Sequence, residues 1–239
     1  MEAEETKPDV LVSGKTSFKI EVPYKLIETG QKGGQKPLIL YLHGYGDNIS
    51  VFEKRCEPFL EITAYHLFIQ GPYPIYDHSG KKSVSEWGRA WYLYDGRKKQ
   101  FIKSLEITSE FIQEVVDNLR QFIKVNRMCV LGYSMGGYLA GYFALTRWKH
   151  IHDLIVIGGR IKTEIVDDSD WKNLKHLDIL ALHGLQDEQV EYINQQADID
   201  NLLAHGISSK IDLVDTGHKL DEIYLTKSKT WLIDKGYQT

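Results

Sequence analysis

Three side chains in this 239-residue chain have the types and order needed for nucleophilic acyl transfer: Ser134, Asp187 and His218. Ser134 stands in Gly132-Tyr133-Ser134-Met135-Gly136, a G-x-S-x-G sequence. A short apolar run from Met128 to Leu131 precedes it, and small and aromatic residues from Tyr138 to Phe143 follow. That order, strand then tight turn then helix, lifts a serine hydroxyl out of the end of a sheet. The glycines occupy positions where side chains would clash, and the amide of Met135 aims at whatever the hydroxyl attacks. A serine hydroxyl is a weak nucleophile at neutral pH and needs a base, which in turn needs an acid to orient it. His218 as base and Asp187 as acid each fall just beyond an apolar run, and the chain order Ser, Asp, His is a known triad order. The plain alternative for Ser134 is a turn serine, and for Asp187 a helix N-cap, a role compatible with catalysis. Asp212 and Asp215 compete as acid but lie too close ahead of His218. His183 precedes the acid and so breaks the order, and the remaining histidines have no motif around them.

An oxyanion needs two backbone amides. Met135 supplies one. The loop His43-Gly44-Tyr45-Gly46, after the apolar run Pro37 to Leu42, supplies the other, with Tyr45 as the expected donor. His43 and Asp47 read as braces of that loop.

These groups need a scaffold that brings strand ends together. Buried apolar runs at 37–42, 66–70, 128–131, 153–159, 177–184 and 210–214 read as strands, helical spacing marks 50–62, 101–124, 189–205 and 220–234, and a further helix follows Ser134 through Tyr138, Leu139, Ala140, Tyr142 and Phe143. Residues 18–26 alternate apolar and polar, as a half-exposed strand does, and Pro23 puts that strand at an edge or a break. Gly206 reads as a helix C-cap. Strands alternating with helices predict an α/β fold: one mostly parallel, twisted sheet with helices on both faces. Ligands of such sheets bind beyond the carboxyl ends of the strands, where Ser134, Asp187, His218 and His43 all fall. Residues 1–15 are expected to be a flexible acidic segment and 16–239 one catalytic domain. Within it, residues 71–100 form a long excursion over the active edge. The aromatic load of this excursion argues against disorder. Trp87, Trp91 and Tyr92 are candidates for its pocket-lining residues, or else pack it against the core.

The net charge of −4 shows no basic footprint for nucleic acid, and no apolar run reaches membrane-spanning length. Cys56 and Cys129 form no disulfide framework, which suits a reducing compartment, and no secretory h-region opens the chain, so a cytoplasmic protein is expected. Neither a Walker lysine nor metal-ligand spacing appears, so neither a cofactor nor a metal is expected.

The set H-G-Y-G-D, G-Y-S-M-G-G, H-G-x-x-D and G-H resembles the phospholipase/carboxylesterase family of α/β-hydrolases, which includes the acyl-protein thioesterases. The resemblance runs from about Pro37 to the C-terminus. It implies a single-domain α/β-hydrolase with nucleophile Ser134, acid Asp187, base His218 and oxyanion amides at Tyr45 and Met135. It also implies cleavage of a carboxylic ester or thioester through an acyl-enzyme, with a small-molecule or acyl ester as partner. A homo-oligomer is compatible with it. The chain departs from the family in carrying Tyr45 where a smaller apolar residue is usual, and in the length of the Gly71–Arg97 segment. A peptidase or acyltransferase on the same triad is the alternative enzyme, and a non-catalytic binding protein of this fold the alternative outside enzymology.

Overall fold

Leucines, isoleucines and valines in an unbroken run must be buried on both sides, so the apolar runs fix the middle of the fold. The computed structural model describes residues 12–16 and 19–239. The first eleven residues of the expected acidic segment, and the Phe18 start of the expected first strand, lie outside them.

The sheet has seven strands in the order β1-β3-β2-β6-β7-β8-β9. They are β1 (Tyr24–Glu28), β2 (Lys36–Leu42), β3 (Tyr65–Ile69), β6 (Val125–Tyr133), β7 (Asp153–Ile157), β8 (Asp178–Gly184) and β9 (Ser208–Val214). Only β1 runs antiparallel, on the edge beside β3. Side chains alternate across the buried strands as a period of two requires. Leu38, Leu40, Met128, Val130, Leu154 and Ile179 face one layer, formed by α2 (Lys98–Leu119), α3 (Met135–Thr146) and α4 (Tyr192–Ala204). Ile39, Tyr41, Cys129, Leu131, Ile155 and Leu180 face the other, formed by α1 (Ile49–Arg55) and α5 (Glu222–Asp234). Among the described residues, no helix is long and apolar enough to cross a membrane.

Several boundaries differ from the sequence expectation, each for a local reason. The helix expected over 50–62 splits at Cys56 into α1 and a single 3₁₀ turn, Glu57–Glu61. Pro58 lies in the first turn of that segment and cannot donate the amide that a continuous helix would need. The helix expected from 189 begins at Tyr192, because the Asp187 carboxylate takes the amides of Gln189 and Val190, both at 2.9 Å. Asp187 is therefore not the N-cap, a position held by Glu191. The helix expected over 101–124 starts three residues earlier and ends at Leu119, and Phe122 is left exposed in the turn to β6. The excursion after Gly71 is not structureless. Its β4 (Tyr73–Pro74) and β5 (Arg89–Ala90) pair antiparallel around the 3₁₀ turn Val84–Glu86. Gly206, at φ +77°, closes α4 as a left-handed cap.

Among the imidazoles enclosed in this framework, those of His66 and His43 bear on stability. His66 on β3 is fully buried, with Nδ1 2.9 Å from the Tyr41 hydroxyl and Nε2 3.1 Å from Ile62 O. His43 follows β2 and is also buried. Desolvation pushes both pKa values down to about 4, against the pull of their backbone hydrogen bonds. An unfolded histidine titrates near pH ~6.5. Between these values the unfolded chain binds protons that the folded chain does not, so this contribution to stability is complete above pH ~6.5 and is lost as pH falls toward 4. Each site changes stability by about 1.4 kcal/mol per pH unit inside that window. The unfolding free energy from urea titration should therefore fall between pH 7 and 5. His66→Gln, which does not titrate, should reduce the slope by about one proton; an unchanged slope would show that His66 is not held neutral.

Candidate active site

The end of β6 and the start of α3 meet at Ser134 with almost no space between them. A Cβ on Gly132 would lie 2.2 Å from Gly136 O, and one on Gly136 would lie 2.1 Å from Leu42 O at the end of β2. Glycine is thus required at both positions by close backbone approach. Ser134 adopts φ +52°, ψ −117°, and among the described residues it is the only non-glycine residue with φ beyond +20° on the positive side. Such a conformation costs about 1–3 kcal/mol and persists only where its surroundings impose it. Here its amide donates to Ile157 O at 2.8 Å, and its carbonyl accepts from Gly137 and Tyr138 at 2.8 and 3.2 Å.

The strain presents the hydroxyl to a histidine 84 positions away in sequence. Ser134 Oγ lies 2.7 Å from His218 Nε2, and His218 Nδ1 lies 2.7 Å from Asp187 Oδ2. The carboxylate accepts from Nδ1–H, which leaves Nε2 free to accept from the serine. The loop after β9 that carries His218 is held by the Tyr133 hydroxyl, which donates to His218 O at 2.8 Å, and by the Tyr133 ring stacked on the imidazole. The Asp187 side chain is 1% exposed. Burial alone would raise its pKa, but the hydrogen bonds from His218 and from the amides of Val190 and Gln189 outweigh that, and the net shift is downward. Asp187 is therefore ionised at neutral pH.

His183, set aside in the sequence because of its position, touches this group. It is fully buried, its Nε2 donates to Val190 O at 2.7 Å, and the same nitrogen lies 3.3 Å from Asp187 Oδ2. Burial holds it neutral by lowering its pKa. It fastens the loop of Asp187 to the end of β8, and the four-residue spacing in H-G-x-x-D was the available signal. The competing acids turn elsewhere: Asp215 accepts from Gln186 Nε2 at 2.7 Å, and Asp212 pairs with Lys227 and Lys210.

The loop after β2 faces Ser134. Tyr45 and Met135 both line a cavity of about 520 Å³ over the serine. Among the described residues, neither of their backbone amides donates to a protein acceptor. The loop is braced from three sides. His43 Nδ1 donates to Gly44 O at 2.7 Å while Nε2 accepts from the Gly71 amide at 2.9 Å. Asp47 accepts from Arg55 at 2.8 Å. The excursion pins the loop through Gly46 N to Arg89 O at 3.0 Å and Arg89 N to Asp47 O at 2.8 Å.

The excursion's aromatic residues divide between two tasks. Tyr92 lines the cavity, together with Tyr94, Phe101 and Tyr138. Trp91 and Trp87, expected on the same wall, do not. Trp91 is fully buried beneath the loop: its indole donates to His43 O at 2.7 Å, its amide to Met135 Sδ at 3.4 Å, and its carbonyl accepts from Thr108 at 2.6 Å. Its polar edge is spent on the backbone it supports. Trp87 sits farther out, stacked edge-on to Tyr76 and donating to Lys82 O.

A family described as Phospholipase/Carboxylesterase matches residues 24–233. Among solved structures, the Bacillus cereus carboxylesterase superimposes with a TM-score of 0.71 at 15% identity, covering 89% of this chain and 94% of that one. Zea mays acyl-protein thioesterase 2 gives 0.67 at 19% identity, covering 89% and 98%. A carboxylesterase from Mesorhizobium loti gives 0.68 at 19% identity, covering 89% and 94%. At these identities the structural likeness speaks for the fold.

The different placement of the two tryptophans has a measurable consequence. Trp91→Phe leaves the buried His43 carbonyl without its donor and should lower the unfolding free energy by about 2 kcal/mol. Trp87→Phe should stay within about 0.5 kcal/mol of the parent. Equal losses in urea denaturation would contradict the bracing role.

Proposed function

From the premise that the chain belongs to the phospholipase/carboxylesterase family, we propose that it hydrolyses a carboxylic ester or thioester through an acyl-enzyme on Ser134. The observation that carries this reading is the continuous line from Ser134 Oγ to His218 to Asp187, with both links at 2.7 Å. As the serine oxygen attacks the acyl carbon, its proton passes to His218 Nε2, and Asp187 stabilises the imidazolium without taking the proton. The carbonyl oxygen becomes an oxyanion between the amides of Tyr45 and Met135, a pair of donors worth about 10²–10³ in rate each. His218 then gives its proton to the departing oxygen or sulfur. Water enters, loses a proton to the same nitrogen and attacks the acyl-enzyme, and collapse of the second tetrahedral intermediate returns the proton to Ser134 Oγ. The ionised state of Asp187 supports this cycle, because only a carboxylate holds Nδ1–H and leaves Nε2 unprotonated toward the serine.

A fluorophosphonate probe should label the protein at Ser134, and Ser134→Ala should abolish turnover of para-nitrophenyl esters. Asp187→Asn should lower kcat by about 10⁴-fold, the cost of a wrong imidazole tautomer. Asp215→Asn should leave kcat within about twofold, since exposed substitutions away from the site have small effects. Labelling at another residue would refute the nucleophile, and similar losses in the two variants would move the acid.

A further inference from the structure

The cavity over Ser134 carries charge of one sign. Its wall includes Lys98, Arg160 and Lys162, and no aspartate or glutamate. The carboxylates stand behind the wall. Arg160 is bidentate to buried Asp198, at 2.8 and 3.0 Å, and lies 3.5 Å from Glu164. Lys162 reaches the same Glu164 at 2.7 Å. Among the described residues, Lys98 has no carboxylate within ion-pair distance. Three cations against two carboxylates leave this side of the cavity with a net charge of +1. Lys98 also opens α2, whose first turn holds no acidic residue. A cation there opposes the helix dipole and costs stability that an anion in the cavity would restore.

Aromatic rings make up the wall between these cations and the nucleophile. Tyr92 and Tyr138 both meet the Phe101 ring edge-on, at 5.0 and 6.3 Å, and Lys162 Nζ lies 5.8 Å from the centre of Phe101. Among the described residues, the hydroxyls of Tyr92, Tyr94 and Tyr138 make no protein hydrogen bond and are available as donors. The cavity wall contains Ser134 and Met135 but not His218. A leaving group must depart on the side of the histidine that protonates it. The cavity therefore receives the acyl part.

Resting on the acyl-enzyme reading above, we propose that the acyl group of the substrate is apolar next to the scissile carbonyl and ends in a carboxylate. A single net positive charge matches a monoanionic carboxylate better than a dianionic phosphate ester. The aromatic stretch accounts for the apolar spacer, and the phenol hydroxyls with Lys98 and Lys162 account for the terminus. Arg160 is held by Asp198 and shapes the wall.

The test compares para-nitrophenyl hemiesters of adipic, pimelic and suberic acid with neutral hexanoate, heptanoate and octanoate esters. At low ionic strength, kcat/KM should favour at least one hemiester over its neutral counterpart by about fivefold, and salt should erode the preference. Lys98→Gln and Lys162→Gln should each reduce hemiester turnover more than neutral-ester turnover. Lys98→Glu should invert the preference, and Glu164→Gln, which frees Lys162, should increase it. Turnover of neutral and anionic esters without preference in every variant would overturn this inference and leave the hydrolase reading standing. If no ester is turned over, the hydrolase reading fails, and calorimetry on Ser134→Ala then decides this inference separately. Tighter binding of monomethyl suberate than of octanol, weakened by Lys98→Glu, would uphold the anion site, and equal binding would overturn it.

Discussion

The site depends on one steric constraint: three backbone segments pass closer together than any side chain permits. The end of β2, the turn at Ser134 and the first turn of α3 meet where a Cβ on Gly136 would lie 2.1 Å from Leu42 O. That contact fixes the distance between the loop carrying Tyr45 and the amide of Met135, because both leave the same junction. It also holds Ser134 at φ +52°. The strain is local, but its support is distributed, since the amide of Ser134 is tied to β7 and its carbonyl to α3. Without the parallel pairing of β6 with β7, the tie from the Ser134 amide to Ile157 O could not form.

Around that junction the molecule separates groups that must be neutral from one that must be charged. His43, His66 and His183 are buried with hydrogen-bond partners that do not offset the loss of water around a charged ring, and desolvation dominates each of them. Asp187 is enclosed just as closely, yet two amides and an imidazole converge on its oxygens, and hydrogen bonding wins. The amides come from the segment that helical spacing assigned to α4. Delaying that helix to Tyr192 is what frees Gln189 and Val190 to serve the carboxylate. Local helix propensity gives way there to the requirements of a buried charge.

This also explains which parts of the fold and site were legible in the sequence. Strands buried on both faces read as unbroken apolar runs, so the sheet was visible, and the elbow was visible because close backbone approach demands glycine at set positions. The order of Ser134, Asp187 and His218 marked a candidate set because each follows a strand end. What could not be read was the direction in which large aromatic residues point within an irregular segment. Trp91 and Tyr92 are adjacent, and no periodicity separates them. One sits under the loop with its indole on His43 O, and the other faces the cavity. His183 was passed over for a related reason: chain order excludes it as a base, but a bracing contact obeys no order. The cations of the cavity come from the start of α2 and the loop after β7, segments with no shared pattern in sequence.

The same excursion that hid these assignments divides scaffold from specificity. Its inner residues, Arg89 and Trp91, hydrogen-bond to the backbone of the loop after β2, which faces Ser134. Its outer residues, Tyr92 and Tyr94, line the cavity beside α2. A backbone that alternates between these tasks over two or three residues connects the cavity wall to the loop after β2. Tyr92 is bonded directly to Trp91, whose amide and indole contact Met135 and His43. The cavity wall and the loop after β2 are thus joined through adjacent residues of one segment.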